Sequence, residues 1–244
     1  MSAVWTVARR EFAAYFATPL AYVFLIAFVV AASATTFYLG DFLERGQADL
    51  GPFFMFHPWL FLALIPAIGM RLWAEERRSG TIELLLTLPI STGEAVLGKF
   101  VAGWLFAGLA LALTFPIWIS ANWLGSPDNG VILASYIGSF LLAGAMLSVA
   151  SCVSALTRNQ VIAFILGIGV CLLLVVSGVG AITDSLRGVL PSGVVDLLAS
   201  ASMLTRFATL AKGVLDFRDL FYFASIIALF LFVNTCVVEF ERSA

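Results

Sequence analysis

The sequence predicts an all-α integral membrane protein with six transmembrane helices, and three observations carry that prediction. Of 244 residues, 61% are hydrophobic and only 11% are charged, against about 25% charged in ordinary soluble domains. The charges are segregated, because six stretches without Asp, Glu, Lys or Arg run over 12–40, 50–70, 100–127, 129–157, 159–183 and 220–238. The shortest of these is 19 residues, close to the ~20 that a helix needs to cross the hydrocarbon core. A charge at the bilayer centre costs about 2.5–3.5 kcal/mol, which is the physical cause of the segregation. A membrane β-barrel would instead show ~10-residue segments of alternating polarity. Six spans use about 120 positions, which leaves no room for a separate soluble catalytic domain. Residues 1–244 read as a single transmembrane domain.

The elements follow in order. Residues 1–18 contain an interfacial helix, with Trp5, Ala8, Phe12, Tyr15 and Phe16 on one side and Thr6, Arg9 and Arg10 on the other. Arg9-Arg10 resembles a twin-arginine signal and Ala32-Ser33-Ala34 an A-x-A cleavage site. The apolar run continues past Ala34 to Leu39, so a first span with basic residues on its inner side is the reading preferred. Thr18-Pro19 breaks the interfacial helix, and Pro19 opens the first span. The spans are drawn at 20–40, 53–72, 98–122, 131–156, 160–182 and 220–238. With the N-terminus inside, eight Lys and Arg face the cytoplasm and five face out. Setting aside the long loop between spans five and six leaves eight against one, and both termini are placed in the cytoplasm. That loop, 183–219, carries apolar Val194, Leu197, Leu198, Ala201, Leu204 and Leu210 at roughly helical spacing. It reads as short outer helices, re-entrant or lying on the outer leaflet.

Several chemistries are excluded or weakened. A net charge of −2 gives no support to nucleic-acid binding. Cys152, Cys171 and Cys236 lie inside spans as small packing residues, with no C-x-x-C pattern. His57, the single histidine, sits near the outer end of span two as a lone polar residue, without the three or four ligands a metal needs. No metal or cofactor is expected on this chain. Gly93 to Phe100 nearly matches a phosphate-binding loop, but Phe100 replaces the hydroxyl and no strand precedes it. Lys99 reads there as a snorkelling lysine at the cytoplasmic end of span three. In span four, Gly144, Ser148 and Cys152 form a small-residue stripe suited to close helix packing, within one subunit or between two.

Ion-driven carriers keep carboxylates, His or Lys at mid-membrane, and these spans have none. If the chain moves a solute, the energy therefore enters from outside the membrane, and the cytoplasmic loop 72–98 is the natural entry point. Ser79-Gly80 is a turn, Thr81 caps a short apolar helix through Leu86, and Pro89 ends it. A short apolar helix flanked by Glu75, Glu76, Arg77, Arg78 and Glu83 suits a groove on a soluble partner.

The segment E-E-R-R-S-G-T-I-E-L-L-L-T-L-P-I-S at 75–91, followed by Leu97-Gly98-Lys99-Phe100, resembles the signature of ABC-2-type transporter permeases, of the type V exporter kind. It is closest to the gliding-motility-associated GldF-like group. The stretch from Lys212 to Phe223 resembles the same position in that group. The resemblance implies two permease chains, as a homo- or heterodimer, each with a cytoplasmic ATP-binding subunit that holds the ATP and Mg. It implies that 75–91 is a coupling helix, with Glu75, Glu76, Arg77, Arg78, Ser79, Gly80, Thr81, Glu83 and Pro89 at the ATPase, and that a GldG-like companion can accompany the complex in the bacterial cytoplasmic (inner) membrane. The chain itself would not be an enzyme. An ATPase-linked complex that transmits force or a signal without moving a solute is the alternative, ahead of an intramembrane enzyme or a self-powered carrier.

Overall fold

The computed structural model describes residues 3–81, 90–180, 183–184 and 191–243. All regular structure among them is helical. Helix α1 (Ala3–Phe16) leads into α2 (Pro19–Ala34), whose entry is set by Pro19 in the first turn after an extended Thr18. At its far end α2 widens into a π turn over Thr35–Leu39. Thr35 and Thr36 donate back to the Ala31 and Ala32 carbonyls at 2.9 and 2.6 Å, the local bonding by which threonine bends a helix.

The second apolar run does not form one straight helix. It is divided into α3 (Gly51–Met55), α4 (His57–Gly69) and α5 (Arg71–Ser79). Pro58 stands at the start of α4 and Pro66 inside it, and each removes a backbone donor. Span three is one hydropathic unit, Thr92–Leu124, bent between α6 (Thr92–Ala112) and α7 (Phe115–Leu124), where Pro116 begins the second piece. Thr114 closes the bend by donating to the Leu111 carbonyl at 2.6 Å and pairing with the Tyr136 hydroxyl at 3.0 Å. Helix α8 (Asn129–Ala155) and α12 (Phe217–Ser243) are long, and α9 stops after Gln160–Val176. Between α9 and α12, Ser192–Ser200 forms α10 and Met203–Leu210 forms α11.

Four helical segments among the described residues are long and apolar enough to cross a membrane: Pro19–Leu39, Thr92–Leu124, Asn129–Ala155 and Phe217–Phe240. The other two expected spans differ for physical reasons. The run at 53–72 is broken by prolines, and the helix in 160–182 is 17 residues long.

Helix α8 is the hub, packing against α4, α5, α6, α9, α11 and α12. Every residue from 142 to 155 is buried. Small side chains make this crowding feasible. A Cβ added at Gly69 would lie 2.5 Å from the Cβ of Ala150, so α4 and α8 nearly touch. A Cβ at Gly144 would meet the Trp104 indole at 2.7 Å and Ile227 at 3.1 Å. The stripe Gly144, Ser148 and Cys152 is thus packed inside this chain. Cys152 and Cys171 are buried, whereas Cys236 is exposed.

Two expectations change. Helix α1 packs along α6 rather than simply lying along headgroups. Val7 and Ala8 are buried while Trp5 is half exposed, because the close approach is made by Val4 and Val7 over Gly98. His57 is not a lone polar residue but fully buried inside the bundle with a partner. Its Nδ1 pairs with the Ser139 hydroxyl at 2.7 Å, inside a box made by Phe28, Phe53, Phe54 and Phe61.

Candidate functional site

The site is built around α5. Met70, before its first turn, offers no side-chain cap, so the first backbone N–H groups need partners from elsewhere. Ser154 of α8 supplies one. Its hydroxyl oxygen accepts from the Trp73 and Ala74 N–H groups at 3.2 and 3.0 Å, and the hydroxyl donates to the Met70 carbonyl at 2.9 Å. A side chain from one helix thereby caps the start of another. One turn earlier on α8, the Ser151 oxygen accepts from the Trp73 indole N–H at 3.3 Å and from the Asn234 amide at 2.8 Å. Trp73, Ser151 and Asn234 are all buried, so α5, α8 and α12 share one polar junction in an apolar interior.

The next turn of α5 is fixed by charge. Lys99 of α6 places its Nζ 2.6 Å from Glu76 Oε1 and 3.5 Å from Glu11 Oε1 of α1, over the Trp73 ring. Lys99 is 1% exposed, so it does not snorkel. The near-miss phosphate motif is ordinary helix: Ser91 caps α6 in a capping box with Glu94, and Gly93 to Phe100 are helical. Burial pushes the Glu11 carboxyl up, but Lys99 and Arg10 outweigh it and hold the group below its usual range. Burial, with Glu11 beside it, raises the Tyr15 hydroxyl. Beyond Glu76, Arg71 pairs with Glu75 at 2.9 Å across one helical turn. Burial and the neighbouring Arg158 both pull Arg77 below its ordinary value, while Arg78 is exposed.

Helix α5 ends as the sequence suggests a turn should. Gly80 adopts φ 74°, a left-handed conformation that glycine takes without strain. Ser79 donates to the Glu75 carbonyl at 2.9 Å and its hydroxyl meets that of Thr81 at 2.9 Å. Glu83 and Pro89 lie outside the described residues. Of the residues singled out for this site, Glu75, Glu76, Arg77, Arg78, Ser79, Gly80 and Thr81 therefore form one continuous helix end. The anchors Glu11, Ser154 and Asn234 were not singled out, and Lys99 was read as a snorkelling lysine rather than as part of this site. The signal for Asn234 was available, since it is the one Asn in the charge-free run 220–238.

Among the described residues no three His, Cys, Asp or Glu side chains gather as a metal ion would require. An all-helical bundle with long apolar helices and a charged helix wired into its core defines a multi-pass membrane protein. The chain belongs to the ABC-2 family transporter proteins, whose sequence profile matches residues 5–242. Membership makes it the membrane, permease part of an ATP-binding-cassette transporter, a family that typically works with an ATP-binding subunit. No curated protein matches the sequence.

Proposed function

We propose that this chain is a permease subunit of the GldF-like group that forms a translocation path and takes its energy from a separate cytoplasmic ATPase through the segment 75–91. In this reading six spans cross a bacterial inner membrane with both termini in the cytoplasm. Two such chains pair, each with an ATP-binding subunit that holds ATP and Mg, and a GldG-like companion joins the complex.

The observation that carries the coupling role is the anchoring of α5. A helix that only rested on lipid would need no partners in the protein. This one is bound through Ser154 and Ser151 to α8, through Ser151 to Asn234 of α12, and through Glu76 and Lys99 to α6 and α1. A displacement of its exposed end therefore reaches four elements of the bundle. Closely packed interiors pass on such displacements because they deform little.

The test is Gly80→Pro, in membranes containing both subunits. Proline cannot adopt φ 74° and would reshape the link to the docking segment. The expected outcome is normal insertion with loss of ATPase co-purification or of transport-coupled hydrolysis. Normal coupling in that variant would remove the reading. A solute-free complex that transmits force would show the same loss of hydrolysis control, with no compound able to stimulate hydrolysis in liposomes.

A further inference from the structure

Residues 156–159 form a short turn that joins α8 to α9, and α5 packs against both of these helices. The turn is fixed by its own side chains. The Thr157 hydroxyl accepts from the Asn159 N–H at 3.1 Å, and the Asn159 side chain caps α9 by accepting from the Val161 N–H at 2.9 Å. Arg158 stands between them, exposed, and takes part in neither bond. Burial lowers Arg77 of α5, and the charge of Arg158 beside it lowers it further. Arg78, the next residue of the last turn of α5, is exposed as well. The carboxylates of α5 and α1 are already committed: Glu75 pairs with Arg71 at 2.9 Å, Glu76 with Lys99 at 2.6 Å and Glu11 with Arg10 at 2.7 Å. Among the described residues neither the Arg78 nor the Arg158 side chain forms an ion pair. The fold thus brings positive charge from two separate elements to one exposed corner, and like charges held together in this way complement an anionic surface.

We infer that the 156–159 turn is a second contact for the ATP-binding subunit, with Arg158 and Arg78 meeting carboxylates on that subunit's surface. The inference rests on the reading of 75–91 as the ATPase-facing segment and adds the partner's chemistry, an acidic strip beside whatever receives the apolar part of the segment. Position favours the ATPase over anionic lipid headgroups. Arg78 is followed at once by the Ser79-Gly80 turn that leads into the docking segment, so a protein seated on that segment has both arginines within reach. The build of the turn agrees. A guanidinium on a backbone held by two side-chain caps loses little freedom when it meets a fixed carboxylate, and the carboxylate matches its forked donors. A mobile headgroup needs no such fixed platform. One contact can pass on a push. A second contact on another element also passes on a rotation, and this one reaches α8 and α9 directly.

The experiment starts from Arg158→Lys in the complex of this chain with its ATP-binding subunit. A carbodiimide joins an amine to a carboxylate only when the two are in direct contact, and arginine does not react, so the wild type is the blank at this position. Peptide mass spectrometry is expected to show position 158 joined to an Asp or Glu of the ATPase. Arg158→Ala should weaken retention of the ATPase about threefold, the size of an exposed ion pair, and Arg158→Glu about tenfold, because it sets like charges against each other. Both differences should shrink in high salt. Reversing the cross-linked carboxylate to lysine should restore retention to Arg158→Glu. A cross-link from position 158 only to carboxylates of this chain, or unchanged retention in Arg158→Glu, overturns the proposal. So does a loss seen in nanodiscs containing phosphatidylglycerol but not in phosphatidylcholine alone, which would give the turn to lipid headgroups. Gly80→Pro separates this inference from the reading beneath it. Retention lost in Gly80→Pro but kept in Arg158→Glu removes the second contact alone, whereas retention and coupling kept in both remove the docking segment with it.

Discussion

Lys99 is the residue that local sequence patterns describe least well. A lysine beside an apolar run suggests a side chain reaching for water, yet its ammonium is held between carboxylates from two other elements. The reason is long range, because Glu11 and Glu76 are 88 and 23 positions away in the chain. No spacing rule encodes that meeting. Removing one member of a buried ion pair costs about 3–5 kcal/mol, and partial exposure of the two glutamates brings this to about 2–3 kcal/mol. Lys99→Ala should therefore lower the thermal unfolding temperature clearly, and a variant as stable as wild type would contradict the buried pair. It should not change nucleotide binding by the isolated chain, since residues 93–100 are helix. The pH response follows from Glu11, whose folded value lies below its ordinary 4.5. A depressed carboxylate contributes stability that is complete above the unfolded value and is lost as pH falls through the folded one. Stability should thus be flat above about pH 5 and decline below 4.5, and Glu11→Gln should flatten that decline. A decline of equal steepness in both proteins would place its origin elsewhere.

At the scale of the element, helix α5 shows why part of the site was legible and part was not. Its ending was written locally: Ser79-Gly80 marks the turn, and Gly80 adopts the left-handed conformation such a turn requires. Its beginning was not, because the cap comes from Ser154, 81 residues from Trp73. Serines in an apolar span read simply as small packing residues until the neighbouring helix is in place. Ser154→Ala should leave two N–H groups without their acceptor, at about 1–3 kcal/mol for buried groups. The expected result is insertion at wild-type levels with reduced stability and weakened coupling of hydrolysis to transport. Unchanged behaviour in both assays would mean that α5 is held adequately by the Trp73–Ser151 bond and the Glu76–Lys99 pair. The second apolar run makes the same point about elements. Its hydropathy announces a span, whereas Pro58 and Pro66 decide that the span is assembled from pieces.

For the whole molecule, hydropathy and charge distribution revealed the class, while the hub position of α8 emerged only from three-dimensional packing. Orientation is testable directly: single cysteines replacing Asp128 and Arg158 in a background without Cys152, Cys171 and Cys236 should label from outside and inside, respectively. Labelling of Asp128→Cys from the cytoplasmic side would reverse the topology. The helices between α9 and α12 are fastened too. Arg206 of α11 pairs with the buried Asp219 of α12 at 3.1 Å and lies over Tyr222, whose hydroxyl donates to the Ala201 carbonyl. Helix α12 is therefore pinned near one end by Asp219 and Tyr222 and near the other by Asn234. About 22 Å separates Asp219 from Asn234 at 1.5 Å per residue, and among the described residues the one hydrogen bond a side chain makes between Tyr222 and Asn234, from Ser225, stays within the helix. A rod held at two points with a greasy shaft can roll or tilt far more easily than it can slip lengthwise. Its two clasps then behave as the ends of a lever: loosening one with Asn234→Leu should change the mobility of a spin label on Thr209, across the membrane from the substitution.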